Sequence, residues 1–144
     1  MKAVLVFLFL TICSVQDLRH RTLPVWLLLL GLLAALAWQL FMGWLTGHPS
    51  LAELFLGACT GLALFVVGRA APGAVGAGDA WVFLDIGLLL GLEDTIGLLW
   101  ISMMGALLFA ALLLLLKKAG RKTKLPMVPF IWAGFLIMQM WGRV

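Results

Sequence analysis

Six stretches of nearly charge-free sequence leave this chain one setting in which to fold. They run roughly Ala3–Gln16, Pro24–Leu45, Leu51–Gly68, Ala80–Leu92, Thr95–Leu116 and Met127–Trp141. An α-helix needs about 20 apolar residues to cross the hydrocarbon core of a bilayer. The second, third and fifth stretches reach that length. The first, fourth and sixth are shorter, and are counted as spans that borrow flanking residues or sit where the bilayer thins. Of 144 residues, 65% are hydrophobic and 11% charged. Soluble domains carry about 25% charged residues, so this chain could not cover a globule in water. The reading is an all-α polytopic membrane protein. It has about six transmembrane helices in a single integral-membrane domain, residues 1–144. A water-soluble enzyme and a disordered tail are both excluded.

Basic residues set the orientation. Arg19 and Arg21 follow the first stretch and Arg69 follows the third. Lys117, Lys118, Arg121, Lys122 and Lys124 follow the fifth. The opposite side has Lys2 and Arg143 at the termini, and its two loops contain no Lys or Arg. By the positive-inside rule the three basic loops are cytoplasmic and both termini lie outside. Beside membrane spans, basic residues meet lipid head groups, so the bilayer and not a nucleic acid is the expected partner of the net charge of +4. Lys2 and the apolar run after it imitate a secretory leader, but no small-x-small cleavage pattern follows. The run Leu10-Thr11-Ile12-Cys13 imitates a lipid-acylation site, with Ile12 where a small residue belongs. A cleaved leader is not expected. Cys13 and Cys59 lie in apolar runs with no CxxC pattern, and read as small buried hydrophobes. No metal site and no cofactor are expected. Trp26, Trp44 and Trp141 fall near span ends, as interfacial anchors do.

The acids carry the chemistry. Glu93 and Asp94 belong to an outer turn, and Glu53 lies within one turn of the outer end of the third stretch. Asp17 ends the first stretch and Asp79 starts the fourth, on the same cytoplasmic side. The topology therefore brings two carboxylates, far apart in sequence, to one depth of the membrane. Two adjacent carboxylates cannot both ionise cheaply, so one keeps a proton and the pair titrates as a unit. The ionised member can take a proton from water, and the protonated one can hydrogen-bond a peptide carbonyl. That is the division of labour in an aspartic protease. Gly76 and Gly78, in Gly76-Ala77-Gly78-Asp79, put backbone without side chains beside the acid, where an extended substrate could approach. Asp79 is equally placed to cap the fourth helix. Asp85 lies in the fourth stretch, pointing about 120° away from Asp79 on a helix. An acid inside a membrane helix is a functional candidate by default, and the reading for Asp85 is a bond to a neighbouring helix or tuning of the site. Pro126 and Pro129 give the sixth stretch a sharp, poorly helical start.

These residues resemble a family. Asp17 to Leu27 (DLRHRTLPVWL), Gly76 to Gly91 (GAGDAWVFLDIGLLLG) and Pro126 to Phe130 (PMVPF) follow one another as the motifs of type IV prepilin peptidases do. Those are GxGD membrane aspartic proteases, and the motifs with the six spans cover nearly the whole chain. The resemblance implies cleavage of the leader peptides of prepilin or pseudopilin substrates at the cytoplasmic face of a bacterial inner membrane. It implies Asp17 and Asp79 as the catalytic pair, with Gly76, Gly78, Pro126 and Pro129 binding substrate or shaping backbone. Val25, Trp81 and Asp85 depart from the family pattern, which touches substrate positioning and the tuning of the acids. Larger members carry a cytoplasmic insertion with paired CxxC motifs and also N-methylate the new terminus. This chain looks like the short kind of tight-adherence pilus systems, so methyltransferase activity is not expected.

The competing class is a non-enzymatic membrane component of a secretion or pilus system, in assembly or transport. It would use Asp85 and the glycines for packing or ion contact. A relative of presenilin would need a Tyr-Asp pair and a Pro-Ala-Leu motif, and the chain contains no tyrosine. A serine intramembrane protease would need a buried Ser/His pair, and His20 and His48 both fall in loops. Sequence leaves open which aspartate is the base and what oligomer forms.

Overall fold

The computed structural model describes residues 2–20, 22–47, 51–71, 76–116 and 126–142. They form six helices: α1 (Lys2–His20), α2 (Val25–Thr46), α3 (Leu51–Ala70), α4 (Ala77–Leu90), α5 (Leu92–Leu115) and α6 (Val128–Met140). Each apolar stretch has become one helix, and there is no strand among the described residues. Arg21, His48, Pro72, Gly73, Arg143 and the basic loop from Lys117 to Lys124 lie outside them.

Helix lengths differ from the expectation in three places. The first stretch is not short: α1 has 19 residues and runs on through Asp17 to His20. Nothing breaks it, because no Gly or Pro occurs before Pro24. Helix α4 begins at Ala77, three residues early, so Asp79 lies inside its first turn. Glu93 and Asp94 sit in the first turn of α5 and not in a loop, since Gly91 at φ 90° makes the whole α4–α5 connection. Among the described residues α1, α2 and α5 are long and apolar enough to cross a membrane. The described apolar part of α3, Leu54–Ala70, and helix α6 are shorter.

Helix α4 is the centre of the bundle. It packs against α1, α2, α3 and α5, and α6 lies against α1 and α5. Its side chains from Val82 to Leu90 are almost all buried, including Phe83 and Ile86 at 0% exposure. A helix apolar on every side suits such a position. Its closest neighbour is α3, and glycine makes the approach possible. A Cβ on Gly87 would overlap the carbonyl oxygen of Gly57, and a Cβ on Gly57 would overlap that of Gly87. A Cβ on Gly61 would likewise strike Leu84. Small residues allow such backbone contact, and packing at that distance is a main attraction between helices in lipid. On the other side, Gln39 of α2 donates its side-chain amide to the carbonyl of Leu88 at 2.5 Å. That carbonyl belongs to the last turn of α4, where intrahelical donors run out.

The outer faces remain apolar. Leu40, Trp44, Phe55 and Leu115 are 68–80% exposed. Lipid accepts such faces, because a helix satisfies the backbone groups of its interior turns within itself.

The α3–α4 contact is open to test. Gly87→Ala should lower thermal stability in lipid nanodiscs by roughly 2 kcal/mol, the scale of overpacking in a filled interior. Gly105→Ala, whose Cβ would meet only Phe130 at 3.7 Å, should leave stability unchanged or raise it slightly. An unchanged melting temperature for Gly87→Ala would mean that the two helices do not meet through these glycines.

Candidate active site

Three helix ends converge at the basic-loop end of the bundle: the C-terminus of α1 and the N-termini of α4 and α6. Asp17 is in the last turn of α1 and is 8% exposed. Its Oδ2 accepts a hydrogen bond from the backbone N–H of Val128, the first residue of α6, at 3.2 Å. Asp79 is the third residue of α4. It is not the cap of that helix: the capping position is Gly76, and Asp79 reaches back to accept the Gly76 backbone N–H. An acid three residues into a helix makes this return contact readily, because the amides of the first turn have no partner within the helix. Asp79 lies within reach of the charge of Asp17.

The two glycines of the quartet play different parts. A Cβ on Gly76 would come within 2.8 Å of Asp79 Oδ2, so glycine gives the carboxylate its space. Gly78 faces elsewhere, toward Leu23 in the α1–α2 connection. Beside Asp79, a cleft of about 240 Å³ opens between α3 and the start of α4. It is lined by Leu64, Phe65, Gly68 and Arg69 on one side and by Gly76, Ala77 and Ala80 on the other. Pro126 and Pro129 flank Val128 at the start of α6, where proline suits the first turn of a helix. They shape the backbone that meets Asp17.

Asp85 does not join the pair. It is fully buried, and neither of its oxygens has a hydrogen-bond partner among the described residues. It points toward α2 and α1: a Cβ on Gly31 would sit 2.6 Å from Asp85 Oδ2 and would also press on Phe9. Cys13, one turn before Asp17 on α1, feels the charges of both Asp17 and Asp85. It is buried as expected, but its place between two acids had no signal in the sequence. Cys59, expected to be buried, is exposed on α3. The expected burial fails because the outer face of a membrane helix is as apolar as its inner face, so hydropathy cannot tell them apart. Among the described residues, no group of three or more His, Cys, Asp or Glu side chains is arranged to hold a metal ion.

Against this geometry, the sequence profile of the type IV leader peptidase family matches residues 4–117. The chain belongs to that family. The match takes in both aspartates and the glycine quartet and ends before the Pro126–Phe130 segment. A Bacillus subtilis protein named prepilin leader peptidase/N-methyltransferase is 28% identical over 97% of this chain. The chain spans 55% of that relative's length. No solved structure matches it.

The isolation of Asp85 has a measurable consequence. A buried polar group without a partner costs roughly 1–3 kcal/mol. Asp85→Leu, similar in size, should raise thermal stability by about that amount. A marked loss of stability would mean that Asp85 has a partner in the membrane-embedded protein.

Proposed function

We propose that this protein is an aspartic endopeptidase that cleaves the leader peptides of prepilin-like proteins at the basic-loop face of the membrane. The observation that carries the reading is the meeting of Asp17 and Asp79. Asp17 is in the last turn of α1 and Asp79 in the first turn of α4, and Asp79 lies within reach of the charge of Asp17. Family membership and the name of the Bacillus relative, a prepilin leader peptidase/N-methyltransferase, support it.

The reaction follows from two carboxyl groups sharing one proton. The ionised member takes a proton from a water molecule. The resulting hydroxide attacks the carbonyl carbon of the scissile peptide bond. The protonated member gives its proton to the carbonyl oxygen, and a tetrahedral diol forms. The first carboxyl then passes its proton to the amide nitrogen, the C–N bond breaks, and the second recovers its proton from the diol. Every proton is returned, and no covalent enzyme intermediate is needed. The cleft beside Gly76 and Ala77 offers a bed for an extended peptide next to Asp79. At the membrane edge both water and a peptide can arrive, while the apolar helix that follows a leader stays in lipid. By the positive-inside rule this edge faces the cytoplasm of a multi-pass inner-membrane protein. The proposal covers peptide hydrolysis alone.

Co-expression with a prepilin in a host lacking its own leader peptidase tests it, with precursor and product separated on a gel. Asp17→Asn and Asp79→Asn keep side-chain shape and remove the ionisable group. Each should slow processing by at least about 100-fold, the lower end for loss of a general acid or base. Asp85→Asn should still process. Processing that survives loss of Asp17 or Asp79 would refute the pair. No processing by any form of the correctly inserted protein, with several prepilins tried, is the pattern expected of a non-enzymatic assembly or transport component.

A further inference from the structure

At the start of α6 the backbone donors can be accounted for one by one. The first N–H groups of a helix have no partner inside it. Pro129 has none to offer. Those of Phe130 and Ile131 both turn back to the carbonyl of Met127, at 3.0 and 3.2 Å. The N–H of Val128 remains. Val128 is 0% exposed, so water cannot reach it. It donates to Asp17 Oδ2 across 111 residues of sequence.

A second bond fixes how α6 sits on α1. Trp132, one turn beyond Val128, donates its indole N–H to Thr11 Oγ1 at 2.9 Å. Its ring also lies against Phe7, with centroids 6.1 Å apart. The helices run in opposite directions, so Trp132 meets α1 deeper in the bundle than Asp17 does. Sliding α6 along its axis would break both bonds together. Helix register is thus held deep in the bundle and expressed at the carboxylate.

We propose that the backbone N–H of Val128 is a positioning group for the catalytic reaction: it holds Asp17 Oδ2 and leaves Oδ1 to take the proton from water. This rests on the aspartic-peptidase reading above. It gives the proline segment a task that no side chain in it performs. Pro129 removes the adjacent donor, Met127 absorbs the next two, and a single N–H is aimed at one oxygen. Trp132 acts through α6 to keep that donor in register.

The test replaces the amide at position 128 by an ester, introduced as the α-hydroxy analogue of valine by nonsense suppression. The side chain stays and the N–H is lost. An ester at position 131 is the control, since that N–H serves only the Met127 carbonyl. With a prepilin in nanodiscs, the ester at 128 should lower kcat about 10- to 100-fold with KM nearly constant, as expected when a hydrogen bond to a charged group is lost from the reacting geometry. The ester at 131 should stay within about threefold of the wild type, the scale of a neutral hydrogen bond. Trp132→Phe should fall between them. Equal kcat for the ester at 128 and the wild type would overturn the proposal, and so would a change confined to KM. A second readout does not need cleavage. The amide proton resonance of Val128 in selectively labelled protein should move upfield in Asp17→Leu, while that of Val82 stays in place. A Val128 resonance that ignores Asp17 would refute the contact even if the peptidase reading itself failed.

Discussion

The close approach of α3 and α4 through Gly57 and Gly87 is the contact on which the rest of the arrangement depends. In lipid, tails compete with leucine side chains on equal terms, so burial of apolar surface does little to order one helix against another. Backbone contact does more. By letting α4 sink against α3, these glycines place a short helix at the centre of the bundle with α1, α2 and α5 around it. The start of α4 is then pinned in depth and direction, and Asp79 with it. The end of α1 comes alongside, and α6 supplies the remaining backbone donor. The proposed pair of acids thus rests on helix packing between segments far apart in sequence.

Much of this was legible in the amino-acid order. Six nearly charge-free stretches correspond to six helices, because a chain in a bilayer has to satisfy its backbone within each segment. The depth of Asp17 and Asp79 followed from where the stretches end, and depth was enough to suggest that they meet. Helix boundaries were less legible. Asp17 and Asp79 were read as the edges of their helices, yet both lie inside, because a charged residue at the membrane edge ends hydropathy without ending a helix. The capping alternative for Asp79 is decided only by the helix boundary. Gly76 holds the capping position, and the acid three residues later reaches back to it.

What sequence could not reveal is which faces touch. The backbone N–H of Val128 carries no sequence signal of its own; only the prolines around it hinted at an unusual helix start. The two cysteines look alike in hydropathy, and one is buried between acids while the other is exposed. The helix face that Asp85 meets has no signal in the sequence: Asp85 lies toward Gly31 and Phe9, where its carboxylate fills space that a glycine leaves open. Such pairings are decided by helix rotation, and helices apolar on every side give that rotation almost no expression in the sequence.

The central claim is that Asp17 and Asp79 are neighbours in the membrane-embedded protein. Cross-linking measures this most directly. In a chain carrying Cys13→Ser and Cys59→Ser, cysteines are placed at 17 and 79 and treated in membranes with a short bifunctional thiol reagent. A second chain carries them at 17 and 94, on opposite ends of the bundle. The account predicts a rapid intramolecular link for 17 with 79, seen by mass spectrometry of the joined peptides, and none for 17 with 94. A folded chain in which 17 and 79 fail to link, or link no faster than 17 and 94, would contradict it.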